Sequence, residues 1–134
     1  LDVTMIGLDV TLKALLTAES MATLATMNKT GEMLTALFNA YGDGSMATGK
    51  PMHDVNTLFY LLSPEKYTIK DYWVDVVTDG PAIGATVADS HARTHTTTNV
   101  HVATDIDVAA FNAWYLLEIA QINDAAVNAG KLEN

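Results

Sequence analysis

Two side chains with acid–base and ligating chemistry stand side by side where a loop feeds an apolar stretch. The loop is Gly49-Lys50-Pro51-Met52-His53-Asp54, and Val55-Asn56-Thr57-Leu58-Phe59-Tyr60-Leu61-Leu62 follows at once. An imidazole changes charge near neutrality and so serves as acid or base. A carboxylate offers hard oxygen to a cation. Val55, Leu58, Phe59 and Leu62 recur at i, i+3, i+4 and i+7, which predicts one buried stripe on a helix from Asp54 to Leu62. A helix N-terminus gathers unpaired N–H groups and the positive end of the dipole, and both favour negative charge. These residues alone leave two readings open. The pair is a catalytic or metal site, or Asp54 does no more than cap the helix.

The remaining histidines are His91, His95 and His101. His91 and His95 have the i, i+4 spacing that would face zinc from one side of a helix. The intervening Ala92-Arg93-Thr94 and the following Thr96-Thr97-Thr98 predict an exposed loop instead, with no third ligand beside it and no HExxH glutamate. That stretch is expected to be a solvated connector. The chain has no cysteine, so thiol nucleophiles, thiolate metal sites and disulfides are excluded. It contains no GxSxG elbow and no GxxxxGK[ST] phosphate loop, and its glycines do not fall into GxGxxG.

Sixteen acidic residues against seven basic ones leave a net charge of −9, with no basic cluster. A nucleic-acid polymer would be repelled; a neutral small molecule or a cation is easier to accommodate. The 134 residues are 49% hydrophobic, with a mean hydropathy of +0.16, enough for one domain with a core. No apolar run approaches the roughly 18 residues that span a bilayer, and no signal-peptide pattern opens the chain. A membrane role is therefore not expected. The cysteine-free composition fits a reducing compartment, and a cytoplasmic location is the expectation.

Several elements are needed to position the pair. Leu1 to Thr11 is strand-like, with Val3, Met5, Ile6 and Leu8 predicting burial on both faces, as in a parallel sheet. Thr17 is the expected N-cap of a helix whose inner face holds Met21, Leu24 and Ala25; Asn28-Lys29 breaks it. Thr30 is expected to cap the next helix, with Met33, Leu34, Leu37, Phe38 and Tyr41 as its core stripe and Gly42-Asp43-Gly44 as its stop. Asp43 to Lys50 then reads as a mobile connector. Tyr67 to Val77 is the clearest strand region, and Asp79-Gly80-Pro81 turns it into a second strand, Ala82 to Ala88, as an antiparallel hairpin. Asn99 to Ala103 is a third strand. Asp107 caps a last helix with Val108, Phe111, Tyr115, Ile119 and Ile122 inside and Gly130 at its end.

Gly49-x-Pro51-x-His53-Asp54, with a helix ending at Ser63-Pro64-Glu65, resembles the carboxy-terminal metal and leaving-group segment of the inosine-uridine type nucleoside hydrolases. Met5-Ile6-Gly7-Leu8-Asp9-Val10-Thr11 is similar to the strand-and-turn segment upstream of it in that family. Ile83-Gly84-Ala85-Thr86-Val87-Ala88-Asp89, then Asn99-Val100-His101-Val102-Ala103 before Asp105-Ile106-Asp107, resemble its closing strands and final helix. The matches keep the family's order over nearly the whole chain. Two departures stand out. The family usually follows His-Asp with Pro, where this chain has Val55, and the family's acidic DTDxGxDD motif is absent.

The resemblance implies an α/β fold: the carboxy-terminal part of an open, mostly parallel, doubly wound sheet flanked by helices, with an antiparallel hairpin near the end. It implies that residues 1–134 are one domain, the carboxy-terminal fragment of a longer one cut away before Leu1. It also implies calcium-assisted hydrolysis of ribonucleosides to ribose and free base, in purine or pyrimidine salvage. His53 would be the acid at the departing base and Asp54 a Ca²⁺ ligand. Tyr41, twelve residues before His53, would reach over the nucleobase, with Phe38 second. The implied partners are a nucleoside substrate and either a homo-oligomer or the missing amino-terminal part. A single carboxylate does not make a calcium site, so the isolated chain is expected to be inactive. The competing expectation is a non-catalytic fragment, or a small-molecule binding domain, in which His53-Asp54 is a structural cap.

Overall fold

A computed structural model describes residues 1–41 and 49–122. In chain order the elements are β1 (Thr4–Ile6), α1 (Leu8–Thr11), β2 (Leu15–Leu16), α2 (Ala18–Met27), α3 (Lys29–Ala40), β3 (Lys50–Pro51), α4 (Val55–Leu62), β4 (Tyr67–Tyr72), β5 (Val74–Val76), β6 (Thr86–Ala88), β7 (Val100–Ile106) and α5 (Val108–Ala120). A 3₁₀ turn, Pro64–Lys66, joins α4 to β4.

The main sheet is open and mixed, in the order β1-β7-β4. β1 runs parallel to β7, with Met5 opposite Val102, and β4 runs antiparallel to it, with a register shift between Thr68 and Ile69. β7 lies in the middle, and its Val102, Ala103 and Ile106 are buried. The α/β class holds, as does the open sheet with helices packed against it. The mostly parallel expectation is corrected: among the described residues only β1 and β7 pair in parallel, and the other strand pairs are antiparallel. The antiparallel hairpin is present as β5 and β6, with Val74 opposite Ala88 and Val76 opposite Thr86.

The core gathers where α2, α4 and α5 meet the inner face of the sheet. Phe59 of α4 is its hub. Its ring meets Phe111 edge-on at 5.4 Å and lies 4.9 Å from Trp114, both on α5. Each fully buried ring contributes about 1.5–3 kcal/mol by leaving water. The expected inner face of α5 is confirmed at Phe111, Tyr115 and Ile119. Thr17 caps α2 by accepting from the Ser20 N–H, and Asp107 caps α5 by accepting from the Ala110 N–H. α2 and α3 approach so closely that a Cβ on Gly31 would sit 2.2 Å from the Leu24 carbonyl oxygen. Only glycine fits that crossing.

Several sequence expectations are corrected. The strand at the start is three residues long and lies at an edge of the sheet; Val3 and Leu8 are exposed, and Leu8 already begins α1. Asn28, not Thr30, caps α3, by accepting from the Gly31 N–H. Tyr67 to Val77 is two strands in two sheets, because Trp73 interrupts it. On α4 only Phe59 of the predicted stripe is buried, with Val55 half-buried and Leu58 and Leu62 exposed. On α3, Leu34 and Phe38 pack partly against the core, while Met33, Leu37 and Tyr41 are exposed. Periodicity identified both helices correctly but could not say how much of each apolar face this chain covers. Gly42-Asp43-Gly44, most of the connector to Lys50, and Gly130 fall outside the described residues. Among the described residues no helix is long and apolar enough to cross a membrane.

Candidate active site

The loop carrying His53 is fastened from below by the segment that follows β1. Gly49 enters it with φ of +91°, and a Cβ there would meet the Leu16 carbonyl oxygen at 2.8 Å, so the turn needs glycine. Lys50 and Pro51 pair with Leu16 and Leu15. The Met52 N–H donates to the Ala14 carbonyl at 3.0 Å, and the Met52 side chain is buried in the core. His53 follows, half-buried, with Nδ1 2.8 Å from the hydroxyl of Thr11 at the end of α1.

Behind the loop a buried polar knot fixes the start of α4. Asn56 has no exposed surface; its amide donates to the Met52 carbonyl. The Tyr67 hydroxyl lies 2.8 Å from Asn56 Oδ1 and 3.0 Å from the Asn56 carbonyl, and shares its one proton between them. Burial pushes the Tyr67 phenol well above its usual range, so it stays a donor. Breaking such a knot leaves a buried polar group unpaired, which costs about 1–3 kcal/mol.

The cavity in front of the loop has a volume of about 480 Å³. His53, Asp54, Phe38 and Tyr41 all line it, with Leu37, Lys50, Pro51, Met52 and Val55 completing the wall. The four residues singled out from sequence are therefore brought to one place. Tyr41 forms an open rim at 75% exposure, while Phe38 sits deeper, half-buried. Lys50, only 6% exposed, donates from Nζ to the Tyr41 carbonyl at 3.1 Å. The ammonium thus meets the carbonyl end of α3 and ties the Tyr41 rim to the His53 loop. Asp54 is exposed, has helical backbone angles, and its carboxylate makes no cap hydrogen bond. The capping expectation fails for that side chain.

Residues 1–113 match the family described as inosine-uridine preferring nucleoside hydrolase. The chain belongs to this family. Over 115 residues it is 46% identical to the non-specific ribonucleoside hydrolase RihC of Klebsiella pneumoniae and 44% identical to RihC of Escherichia coli, in each case 85% of this chain and 38% of the relative. It thus spans well under half the length of these curated relatives. Its fold is similar to the purine-preferring ribonucleoside hydrolase of Gardnerella vaginalis, with a TM-score of 0.74 at 29% identity over 89% of this chain and 40% of that one. A plant nucleoside hydrolase, PpNRh1, shares the fold with a TM-score of 0.78 at 19% identity, over 90% of this chain and 42% of that one.

A nucleoside hydrolase fold raises the question of a metal. Asp54 has the right chemistry, a free and exposed oxygen donor. Calcium takes about six to eight oxygens, and the described residues contain no group of three or more acidic or histidine side chains able to hold an ion. Among the described residues lining the cavity, Asp54 is the one acidic side chain.

Three members of the site were not singled out from sequence as site residues: Thr11, Lys50 and Asn56. Asn56 carried a usable signal, a polar amide inside an apolar helix. Thr11 and Lys50 carried none, because their importance comes from partners 42 and 9 residues away. The other histidines lie elsewhere. The stretch around His95 is an exposed loop, as expected, but an ordered one: the His95 ring stacks on Trp73 at 4.2 Å, and Asp89 ties the loop by accepting from the N–H groups of Arg93, Thr94 and His95. Those donors hold the Asp89 carboxyl well below the usual carboxylate range. His101 sits on the sheet, Nδ1 2.5 Å from Asp71 on β4 and Nε2 3.1 Å from Asp2 ahead of β1.

Proposed function

We propose that the complete protein hydrolyses the N-glycosidic bond of ribonucleosides, giving ribose and the free base. The observation that carries this reading is that His53, Asp54, Phe38 and Tyr41 share one cavity in a chain of the nucleoside hydrolase family. Cleavage of such a bond passes through an oxocarbenium-like state. The C1′–N bond breaks and its electron pair goes to the departing base. A base nitrogen takes up the proton from His53, and water adds its oxygen to C1′ while giving one proton to a general base. The apolar floor and the aromatic rim suit a planar base, with Phe38 beneath and Tyr41 over it.

Asp54 is the chain's contribution to calcium, and the remaining ligands and the general base come from residues outside this chain. Bound calcium would orient the ribose hydroxyls and lower the pKa of a water. A neutral nucleoside is compatible with the net charge of −9, which disfavours nucleic-acid polymers. The exposed apolar residues Leu58, Leu61 and Leu62 on α4 and Leu8 and Leu12 around α1 call for cover. The rest of the family domain, or a second copy, is the natural source. The location proposed is the cytoplasm, and the role nucleoside salvage.

The test is product analysis. The full-length protein, incubated with inosine and separately with uridine, should release ribose and base in equal amounts. Tight binding with no release would make the protein a nucleoside-binding domain. Neither binding nor release would make it a non-catalytic relative.

A further inference from the structure

The hydrogen bond between Thr11 and His53 joins two segments 42 residues apart, and the notable feature is the kind of partner. Thr11 ends the short helix at the carboxyl end of β1, and its N–H is held by the Gly7 carbonyl at 3.0 Å. Its side chain is not free to wander: the residue is 3% exposed. A buried hydroxyl must place its proton on some acceptor. Among the described residues the one hydrogen-bond partner of Thr11 Oγ1 is His53 Nδ1. In the neutral ring Nδ1 is therefore the acceptor, and the ring proton sits on Nε2. In the charged ring the same hydroxyl accepts from Nδ1–H. Either way Nδ1 is occupied by the protein, and Nε2 is the nitrogen left for a molecule in the cavity.

We propose that Thr11 is the positioning residue of the site, holding the His53 ring so that Nε2–H is presented to the departing base. This rests on the nucleosidase reading above. It adds a residue on a separate segment, and it explains why the loop is fastened to the turn after β1. A ring free to rotate about χ2 would present either nitrogen, or a carbon edge. A misplacement on the order of 1 Å costs up to about 100-fold in rate.

The test uses the full-length protein and two variants, Thr11→Val, which keeps the shape and removes the hydroxyl, and Thr11→Ser, which keeps the hydroxyl. Thr11→Val should lower kcat about 10- to 100-fold at unchanged KM, and Thr11→Ser should restore most of it. The second readout is ¹⁵N NMR of histidine-labelled protein well above neutral pH, with His53 assigned from its Ala variant. Wild type and Thr11→Ser should show a single Nε2–H tautomer, and Thr11→Val a mixture. An active wild type whose Thr11→Val variant keeps both its kcat and its tautomer overturns the proposal. So does a tautomer change without a change in kcat. A wild type inert toward inosine and uridine overturns the nucleosidase reading first, and is recognised before any variant is compared.

Discussion

His53 and His101 are both anchored through Nδ1, but to partners of opposite character. His53 meets the uncharged hydroxyl of Thr11 inside a cavity; His101 meets the carboxylates of Asp71 and Asp2 on the surface of the sheet. A hydroxyl both donates and accepts, so it serves an imidazole in either protonation state. Two carboxylates favour the charged ring alone. The hydrogen bond and charge of Asp71, with Asp2 adding to them, raise the pKa of His101 above its ordinary value. One arrangement accommodates either state of its ring, and the other favours the charged state and links β7 to β4 and to the segment ahead of β1. Residue type is the same in both; partner chemistry separates a site from a clasp.

The largest effect should come from removing the first imidazole. In the complete protein His53→Ala should lower kcat by about 10²- to 10⁴-fold with little change in KM, measured on inosine and uridine. Activity equal to wild type on both would erase the functional half of the contrast. Asp54→Ala should abolish calcium retention, and activity with it, while leaving the melting temperature nearly unchanged, since no cap bond is lost. Metal content of the folded variant decides the matter; a clear loss of stability with calcium still bound would return Asp54 to a capping role.

The knot behind the site offers a smaller effect, on stability. Asn56→Ala leaves the Tyr67 hydroxyl without its side-chain acceptor and should cost about 1–3 kcal/mol, read from urea unfolding. The smallest effect belongs to the surface clasp and depends on pH. Because the folded pKa of His101 is raised, its stabilisation is fully present below the unfolded value, about 6.5. It is lost as pH rises through the higher folded value. His101→Asn should therefore be less stable than wild type in mildly acidic buffer and indistinguishable from it at alkaline pH. A stability gap that does not close with rising pH would mean that the ion pairs do not hold the strands.

What was legible in the sequence was local. The His53-Asp54 junction, the helices from their periodicity, the Thr17 and Asp107 caps and the hairpin turn all follow from residues close together in the chain. Their physics acts over one or two turns, so short windows contain it. The order of the resembling segments added the family. Burial and partnership were not legible. The stripe on α3 divides, with Leu34 and Phe38 against the core and Leu37 and Tyr41 exposed at the cavity; Leu58 and Leu62 of α4 are uncovered, and Tyr67 to Val77 divides at Trp73. The loop around His95 is exposed, as read, but its order comes from a stack and a carboxylate that the residue spacing did not announce.

The sequence by itself determined which chemistry is available: one imidazole beside one carboxylate at the mouth of a helix, with two aromatics upstream. Only the tertiary structure decided which groups those side chains meet. Thr11 reaches His53 across 42 residues because β1 delivers its turn beneath the loop, where β2 and β3 pair. Lys50 ties the end of α3 to the same loop, and Asn56 and Tyr67 lock the helix behind it. Each of these is a short-range force between groups that the fold, and not their spacing along the chain, brings to hydrogen-bond distance.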